Sequence, residues 1–310
     1  MIKNLQRGRE KLISSYLRNN KIFQTLEYMK LTTSSNIQIF HPTVRDNHEI
    51  KVLKCKKTKC FFLSSTSHIE KKHYSEKKKF KYFGNNNIDD AQKIDKPDSI
   101  RRSKYIKNFV NNKKWVDVGT GSGGLLSEFQ YSKKNIEAVE PNRDMRDNLK
   151  SRGFKIYKDI NDLKDNTYDL ITLFHVYEHI NDPLDFIKVL NRKLKPNGKI
   201  IIEVPHAEDI LIKIFNLNSF KKFTFWSEHL ILHSKKTLEK FIEYGHFKII
   251  QLDGIQRYDL MNHLYWISKN KPGGHIKLKK YSFKIINYIY DKILKYFNLT
   301  DTLIIVAQKK

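Results

Sequence analysis

The sequence predicts an α/β fold, a doubly wound sheet of mostly parallel strands covered by helices, with a small N-terminal region before it and a helical insertion ahead of its last strand. Three observations predict it. From Lys114 onward short β-prone runs alternate with helical segments, the pattern of strands joined by helical crossovers. A glycine-rich turn, "VGTGSGG", sits where the first of these strands gives way to a helix. Two further apolar runs, "FKIIQLDG" and "TLIIVAQ", stand near the end with a long basic segment between them.

In chain order, residues 1–100 form the accessory region. It combines a possible amphipathic helix at its start, a hairpin-like "IKVLKCKKTKCFFL" and a polar link, "GNNNIDDAQKIDKPDS". The core spans 101–256. Its elements are "KWVDVG", "LLSEFQ", "IEAVE", "NRDMRDNLKSRG", "FKIYKD", "YDLITLF", "DPLDFIKVLNRKL" and "KIIIEVP". Asp182 is a good N-cap, Pro183 suits the first helical position, and Leu184, Ile187 and Leu190 share one face. Ser234 caps "KKTLEKFIEY", which Gly245 ends. Residues 257–300 are the insertion, read as a lid, and 301–310 supply the final strand. No internal repeat is found.

The glycine turn takes four of the chain's 12 glycines, Gly119, Gly121, Gly123 and Gly124. Glycine permits positive φ and close approach of backbone to a ligand, while the helix start offers free N–H groups. A nucleotide-like cofactor is the natural guest. Gly119, Gly121 and Gly124 satisfy the G-x-G-x-x-G dinucleotide fingerprint, but Asp117, two residues ahead, would repel a pyrophosphate. A carboxylate there favours a cationic cofactor, S-adenosylmethionine (SAM); the alternative is that Asp117 only hydrogen-bonds the turn amides. Glu140, closing the second strand, is placed to accept ribose hydroxyls, as an acid does in any adenosine-binding site of this kind.

Composition narrows the classes. A chain of 310 residues can bury a full core. No run approaches the ~20 apolar residues of a membrane span, the start lacks an apolar signal core, and two cysteines fit a reducing compartment; a cytoplasmic location is expected. The net charge of +26 lies on the flanks: residues 1–114 carry 27 Lys and Arg against 10 Asp and Glu, 115–270 carry 23 against 21, and 271–310 carry 9 against 2. Lys-biased runs such as "EKKHYSEKKKFKY" read as solvated surface first, with nucleic acid or an anionic membrane as the sharper alternative.

With these motifs in view, the chain resembles the class I SAM-dependent methyltransferases over about 101–256 plus the final strand. "VDVGTGSG" is similar to the family's methionine-binding loop, Glu140 to its ribose acid, Asp159 of "YKDI" to its adenine-side acid, and "LFHVYEHI", with Phe174 and His175, to the segment flanking the reactive methyl. "LKPNGKIIIEVP" matches the family's L-K-P-G-G turn, with Asn197 for the first glycine, a mild departure since Asn tolerates the left-handed region. The resemblance implies a Rossmann-like sheet of seven strands in the order 3-2-1-4-5-7-6, the seventh antiparallel, with SAM as cofactor. Beyond the core, "FWSEHLILHSKKTLEKFIEYGHF" and "IQRYDLMNHLYWISKNKPGGH" resemble a bacterial subgroup often associated with surface-polysaccharide and nucleotide-sugar pathways.

Methyl transfer is an in-line displacement, so alignment of nucleophile, methyl and sulfur is the main task and no metal is assigned. An oxygen nucleophile needs a base, and histidine suits neutral pH. His206, after the fifth core strand, and His229, in the segment folding over the cleft, are the first candidates. His179 is read as hydrogen-bonding near the Asp182 helix start, and His175 as lining the methionine end by its backbone. Trp226, His263, Tyr265 and His275 are candidate acceptor contacts, with core packing equally open for the aromatic residues. Cys55, Cys60, His68 and His73 offer a spaced set of possible zinc ligands, yet the Cys-to-His gap is short for a zinc finger, and a hairpin with two unligated cysteines is preferred. The reading is a methyltransferase acting on a small or carrier-linked sugar, at oxygen; the alternatives are an RNA methyltransferase and a non-catalytic binding or scaffold protein of the same fold.

Overall fold

The computed structural model describes residues 2–69 and 88–310. Among them eleven strands form two sheets: β1 (Ile37–His41), β2 (Val52–Cys55), β3 (Phe61–Leu63), β4 (Trp115–Val118), β5 (Ile136–Val139), β6 (Lys155–Tyr157), β7 (Tyr168–Phe174), β8 (Leu194–Pro205), β9 (Ile231–Leu232), β10 (Phe247–Ile255) and β11 (Thr302–Lys309). The larger sheet runs β6-β5-β4-β7-β8-β11-β10, with β11 antiparallel to both neighbours and the pairs from β6 to β8 parallel. In core-strand numbering this is the expected order 3-2-1-4-5-7-6. All four residues of β4 and of β5 are buried, as parallel strands covered on both faces must be.

Local signals placed the elements correctly. Asp182 caps the helix Pro183–Lys193, accepting from the Asp185 amide at 3.3 Å, and Leu184, Ile187 and Leu190 are buried. Ser234 caps Lys235–Tyr244 in a capping box with Thr237, two N-terminal donors satisfied reciprocally. Asn197 adopts φ +63°, as the K-P-N-G turn anticipates. At Gly245 the structure differs: its φ is −74°, and the left-handed residue is His246. Gly245 is needed for space instead, since a Cβ there would lie 2.6 Å from Ile187.

The N-terminal region is less separate than its composition implies. Its hairpin, β2 with β3, sits in a four-stranded sheet ordered β1-β2-β3-β9, and β9 comes from the core half of the chain. One apolar cluster runs from Leu17, Leu26 and Phe62 through Ile171 and Val204 to Ile305. The described part of the polar link is helical: Ile88–Val110 is one helix, with Pro97 inside it, crossing the expected boundary at residue 100. Asp89 and Asp90 in its first turn complement the helix dipole, a start signal that the link's overall polarity obscured. This helix covers the glycine turn: Gln92 donates to the Ser122 carbonyl at 2.6 Å, and a Cβ on Gly124 would meet Ser99 Oγ at 2.5 Å.

Between β10 and β11 the insertion is helical as expected, with helices Leu260–Lys269, Gly274–Lys277 and Lys284–Tyr296. The last exposes Ile285, Tyr288, Ile289 and Tyr296 and buries only Leu294. Among the described residues no helix is long and apolar enough to cross a membrane. Cys55 and Cys60 are free thiols buried in the hairpin, with Cys55 Sγ within 3.2 Å of the Thr32 hydroxyl. His68 turns away to the Ser227 carbonyl, 2.6 Å off, and His73 lies outside the described residues.

Candidate active site

The site is assembled at the carboxyl ends of β4, β5, β7 and β8. Gly119, Gly121 and Gly123 have φ of +73°, +57° and +74°, a run that side-chain-bearing residues rarely sustain. Gly119 also needs its missing Cβ, which would fall 2.4 Å from Val176 after β7. At Gly121 the corresponding space is open, with nothing within 4 Å.

Asp117 and Glu140 face this turn from buried positions. Thr172 on β7 accepts the Trp115 indole N–H at 2.8 Å and donates its hydroxyl to Asp117 at 2.6 Å. The Asp117 partner is therefore a neighbouring strand, not the turn amides. Burial pushes its carboxyl up to about 6, against the hydrogen bonds and Arg102, which pull it down. Glu140 accepts from the amides of Gly121 and Asn142, both at 2.8 Å, and burial raises its pKa. Those two bonds fix the carboxylate at the rim of the turn. Each oxygen retains a lone pair for a ribose hydroxyl. Asp159, after β6, is exposed and caps a short 3-10 turn, accepting from the Asn161 amide at 2.8 Å.

An ionic cluster unread in the sequence fills the neighbouring strand ends. Glu203 on β8 is fully buried and takes both nitrogens of Arg101, at 2.8 and 2.9 Å, and Arg102 at 2.7 Å. Arg101 and Arg257 also pair with Asp98, at 3.0 and 2.9 Å. Burial pushes the Glu203 carboxyl up, but Arg102 and Arg101 outweigh it and hold it at about 2. Arg102 additionally lies 4.9 Å over the Phe174 ring. The adjacent arginines of "SIRRSKY" were the available signal, concealed among the chain's many basic residues.

After β7 the chain turns sharply. His175 takes φ +57° and donates its backbone N–H to the Glu203 carbonyl at 2.9 Å, while its ring reaches Glu178 at 3.1 Å and Arg257 at 2.8 Å. Burial and the nearby guanidinium groups hold this imidazole well below its ordinary pKa. Glu178 is fully buried, and burial raises its carboxyl to about 8. His229 joins it: the Leu230 amide donates to the Glu178 carbonyl at 3.0 Å, the His179 and His229 ring centroids are 5.0 Å apart, and Trp226 is 5.2 Å from His229. His179 thus stands in this group, beside Glu178 and His229.

The other expected residues lie elsewhere. His206 is buried, its Nδ1 2.8 Å from the Thr300 carbonyl, and burial lowers its pKa to about 4. His263 and Tyr265 are on the inner side of Leu260–Lys269; the His263 ring meets the Tyr290 hydroxyl at 2.6 Å. Their mixed polarity reads as a surface, but packing between insertion helices buries them. His275 is held by the Asn262 side chain at 3.3 Å. Trp226 alone of the four acceptor candidates adjoins the imidazole group.

The residues present fit SAM. The turn leaves room at Gly121, two carboxylates face it, and the Ser122 hydroxyl inside it has no partner. Asp117 and Glu140 would hold the cationic methionine end and the ribose, and the bound group would supply a methyl on a sulfonium.

Comparison with known proteins agrees. A family described as a methyltransferase domain matches residues 94–252. The chain is 30% identical over 108 residues to a mitochondrial ubiquinone biosynthesis O-methyltransferase of Schizosaccharomyces pombe, covering 31% of this chain and 39% of that protein. It is 32% identical over 160 residues to an uncharacterized protein of Methanocaldococcus jannaschii, covering 49% and 64%. The chain thus spans less than two thirds of the length of these relatives. Among solved structures, the complex between the Haloferax volcanii Trm112 methyltransferase activator and a methyltransferase matches with a TM-score of 0.50 and 16% identity, over 71% of this chain and 94% of that one, a likeness of fold. The family match, the sheet order and the glycine turn with its two acids lead to one conclusion: the chain belongs to the methyltransferase domain family and is a class I enzyme whose cofactor is S-adenosylmethionine.

Proposed function

We propose that this enzyme methylates a hydroxyl oxygen of a small acceptor, and that the acceptor is a sugar, free or carrier-linked. The observation that carries the oxygen assignment is the group Glu178, His179 and His229, which follows directly on the strand end where Val176 packs against Gly119. These imidazoles can draw the proton from an acceptor O–H, and burial keeps His229 neutral by holding its pKa well below the ordinary value. When the acceptor oxygen bonds to the methyl carbon, the sulfur–carbon bond breaks and its electron pair returns to sulfur, so the sulfonium charge and the acceptor proton are both lost. The chain's part is to exclude water and align three atoms. Trp226, beside the same group, offers a face for a sugar ring. Similarity to three ubiquinone biosynthesis O-methyltransferases also favours oxygen.

Labelled SAM offered with nucleotide sugars, catechols and RNA tests this. Expected is an O-methyl ether on a sugar hydroxyl, with Trp226→Ala lowering kcat/KM at least about tenfold, ~1.4 kcal/mol at the barrier. Transfer confined to catechols would retain oxygen and remove the sugar. Transfer to RNA alone would favour the reading based on the basic flanks. SAM binding without turnover on any acceptor would favour a binding or scaffold role.

A further inference from the structure

The geometry points to a divalent-cation site formed by Glu178, His179 and His229, in which the cation holds and acidifies the acceptor hydroxyl. One ligand atom from each of the three lies within 4.8 Å of the others, and Glu178 Oε1 is 4.0 Å from His179 Nε2. Metal–ligand lengths of about 2.0 to 2.2 Å place the ligand atoms of a tetrahedral site about 3.4 Å apart, so the side chains need to close by only about an ångström. The backbone already ties the two segments together through the Leu230 amide and the Glu178 carbonyl, 3.0 Å apart.

Two orphaned atoms in the group call for a partner. Glu178 Oε2 and His229 Nδ1 are both shut off from solvent without a hydrogen bond. A buried carboxyl oxygen left unpaired is costly, and one cation would satisfy it together with the imidazole nitrogen. The surroundings resemble an outer shell that orients ligands: His175 Nδ1 is 3.1 Å from Glu178 Oε1, and Trp226 stands edge-on to both imidazoles. Arg45 lies 4.7 Å over the Trp226 ring. Two imidazoles and one carboxylate are borderline donors that suit zinc, cobalt or manganese. Three protein ligands leave coordination positions for substrate.

This inference rests on methyl transfer to oxygen for its purpose, though not for the binding itself. With the imidazoles engaged as ligands, the cation replaces their direct uptake of the proton: an acceptor hydroxyl bound to it has its pKa lowered, and the proton is lost to water as the acceptor binds, before the methyl is transferred. The resulting oxygen anion then forms the O–CH3 bond as the S–CH3 bond breaks.

Full-length protein stripped with a chelator is titrated separately with Zn²⁺ and Co²⁺, following heat and the visible absorption of cobalt. S-adenosylhomocysteine binding is measured on each sample as a check of folding. Expected is one equivalent of metal with a cobalt band, lost in His229→Ala, weakened at least about tenfold in Glu178→Gln, and unchanged in a Cys55→Ser, Cys60→Ser variant. Well under one equivalent on wild type, wild-type binding by His229→Ala, or loss confined to the cysteine variant overturns the site. Should Glu178→Gln fail to bind S-adenosylhomocysteine, wild type and His229→Ala decide. Cofactor binding without metal binding overturns this inference and leaves the methyltransferase standing; stoichiometric metal without methylation of any hydroxyl leaves the site and overturns its proposed role.

Discussion

We propose that Asp117 faces the cationic end of the cofactor, and its burial would then make cofactor binding sensitive to pH. With a pKa of about 6, it is protonated in mild acid and charged at neutrality. A cationic ligand prefers the carboxylate, so SAM affinity should rise by up to about tenfold per unit as pH increases toward 6 and level off above it. The same shift acts oppositely on stability: the folded state holds the proton more tightly than the unfolded chain, so Asp117's contribution is present at low pH and lost as pH rises through about 6. Calorimetric titration of wild type and Asp117→Asn checks the first effect, and an unchanged pH profile in the variant would assign it elsewhere. Glu203 is the opposite case, a buried carboxylate held charged by Arg101 and Arg102. Glu203→Gln takes the buried charge from Arg102 and leaves Arg101 only Asp98, and should cost about 3 to 5 kcal/mol in denaturant unfolding.

At the scale of elements, strands and caps were legible because each depends on neighbours in sequence. The D-P start of Pro183–Lys193, the Ser234 cap and the apolar runs of β4, β7 and β8 carry their signals within a few residues. The glycine turn was readable for the same reason. Less visible were features that depend on packing across the chain. Glu178 and His229 stand about fifty positions apart, so no spacing motif joins them, and the Ile88–Val110 helix is too polar to show a strong apolar face until the glycine turn is placed against it. His263 and Tyr265 lie on the inner side of a helix that packs on the other insertion helices, so a mixture of polar and aromatic residues there also serves that packing. The insertion helix Lys284–Tyr296 makes the contrast measurable. Leu294→Ala, at its one fully buried position, should cost about 2 to 5 kcal/mol, whereas Ile289→Gln on the exposed side should change unfolding by no more than about 0.5 kcal/mol.

For the molecule as a whole, the N-terminal sheet and the larger sheet share one apolar cluster, and the helix over the glycine turn leads directly from one region into the other. Heat unfolding is therefore expected to show one transition, with Phe62→Ala destabilising all of it by about 3 to 5 kcal/mol; two resolved transitions, only one of them moved by the substitution, would show that the regions unfold separately. The shared cluster also fixes what the cofactor turn is built upon, since Val116, Ile171 and Val204 beneath the strand ends belong to it. Calorimetric titration of S-adenosylmethionine, and separately of NAD, into wild type and Gly121→Val tests the central claim most directly. The open space beside Gly121 lets valine in without collision, at the cost of backbone strain, while filling the place of the cofactor. The account predicts one equivalent of S-adenosylmethionine on wild type, none on a folded Gly121→Val and no response to NAD. Binding of NAD without S-adenosylmethionine, or undiminished S-adenosylmethionine binding by the valine variant, would contradict it.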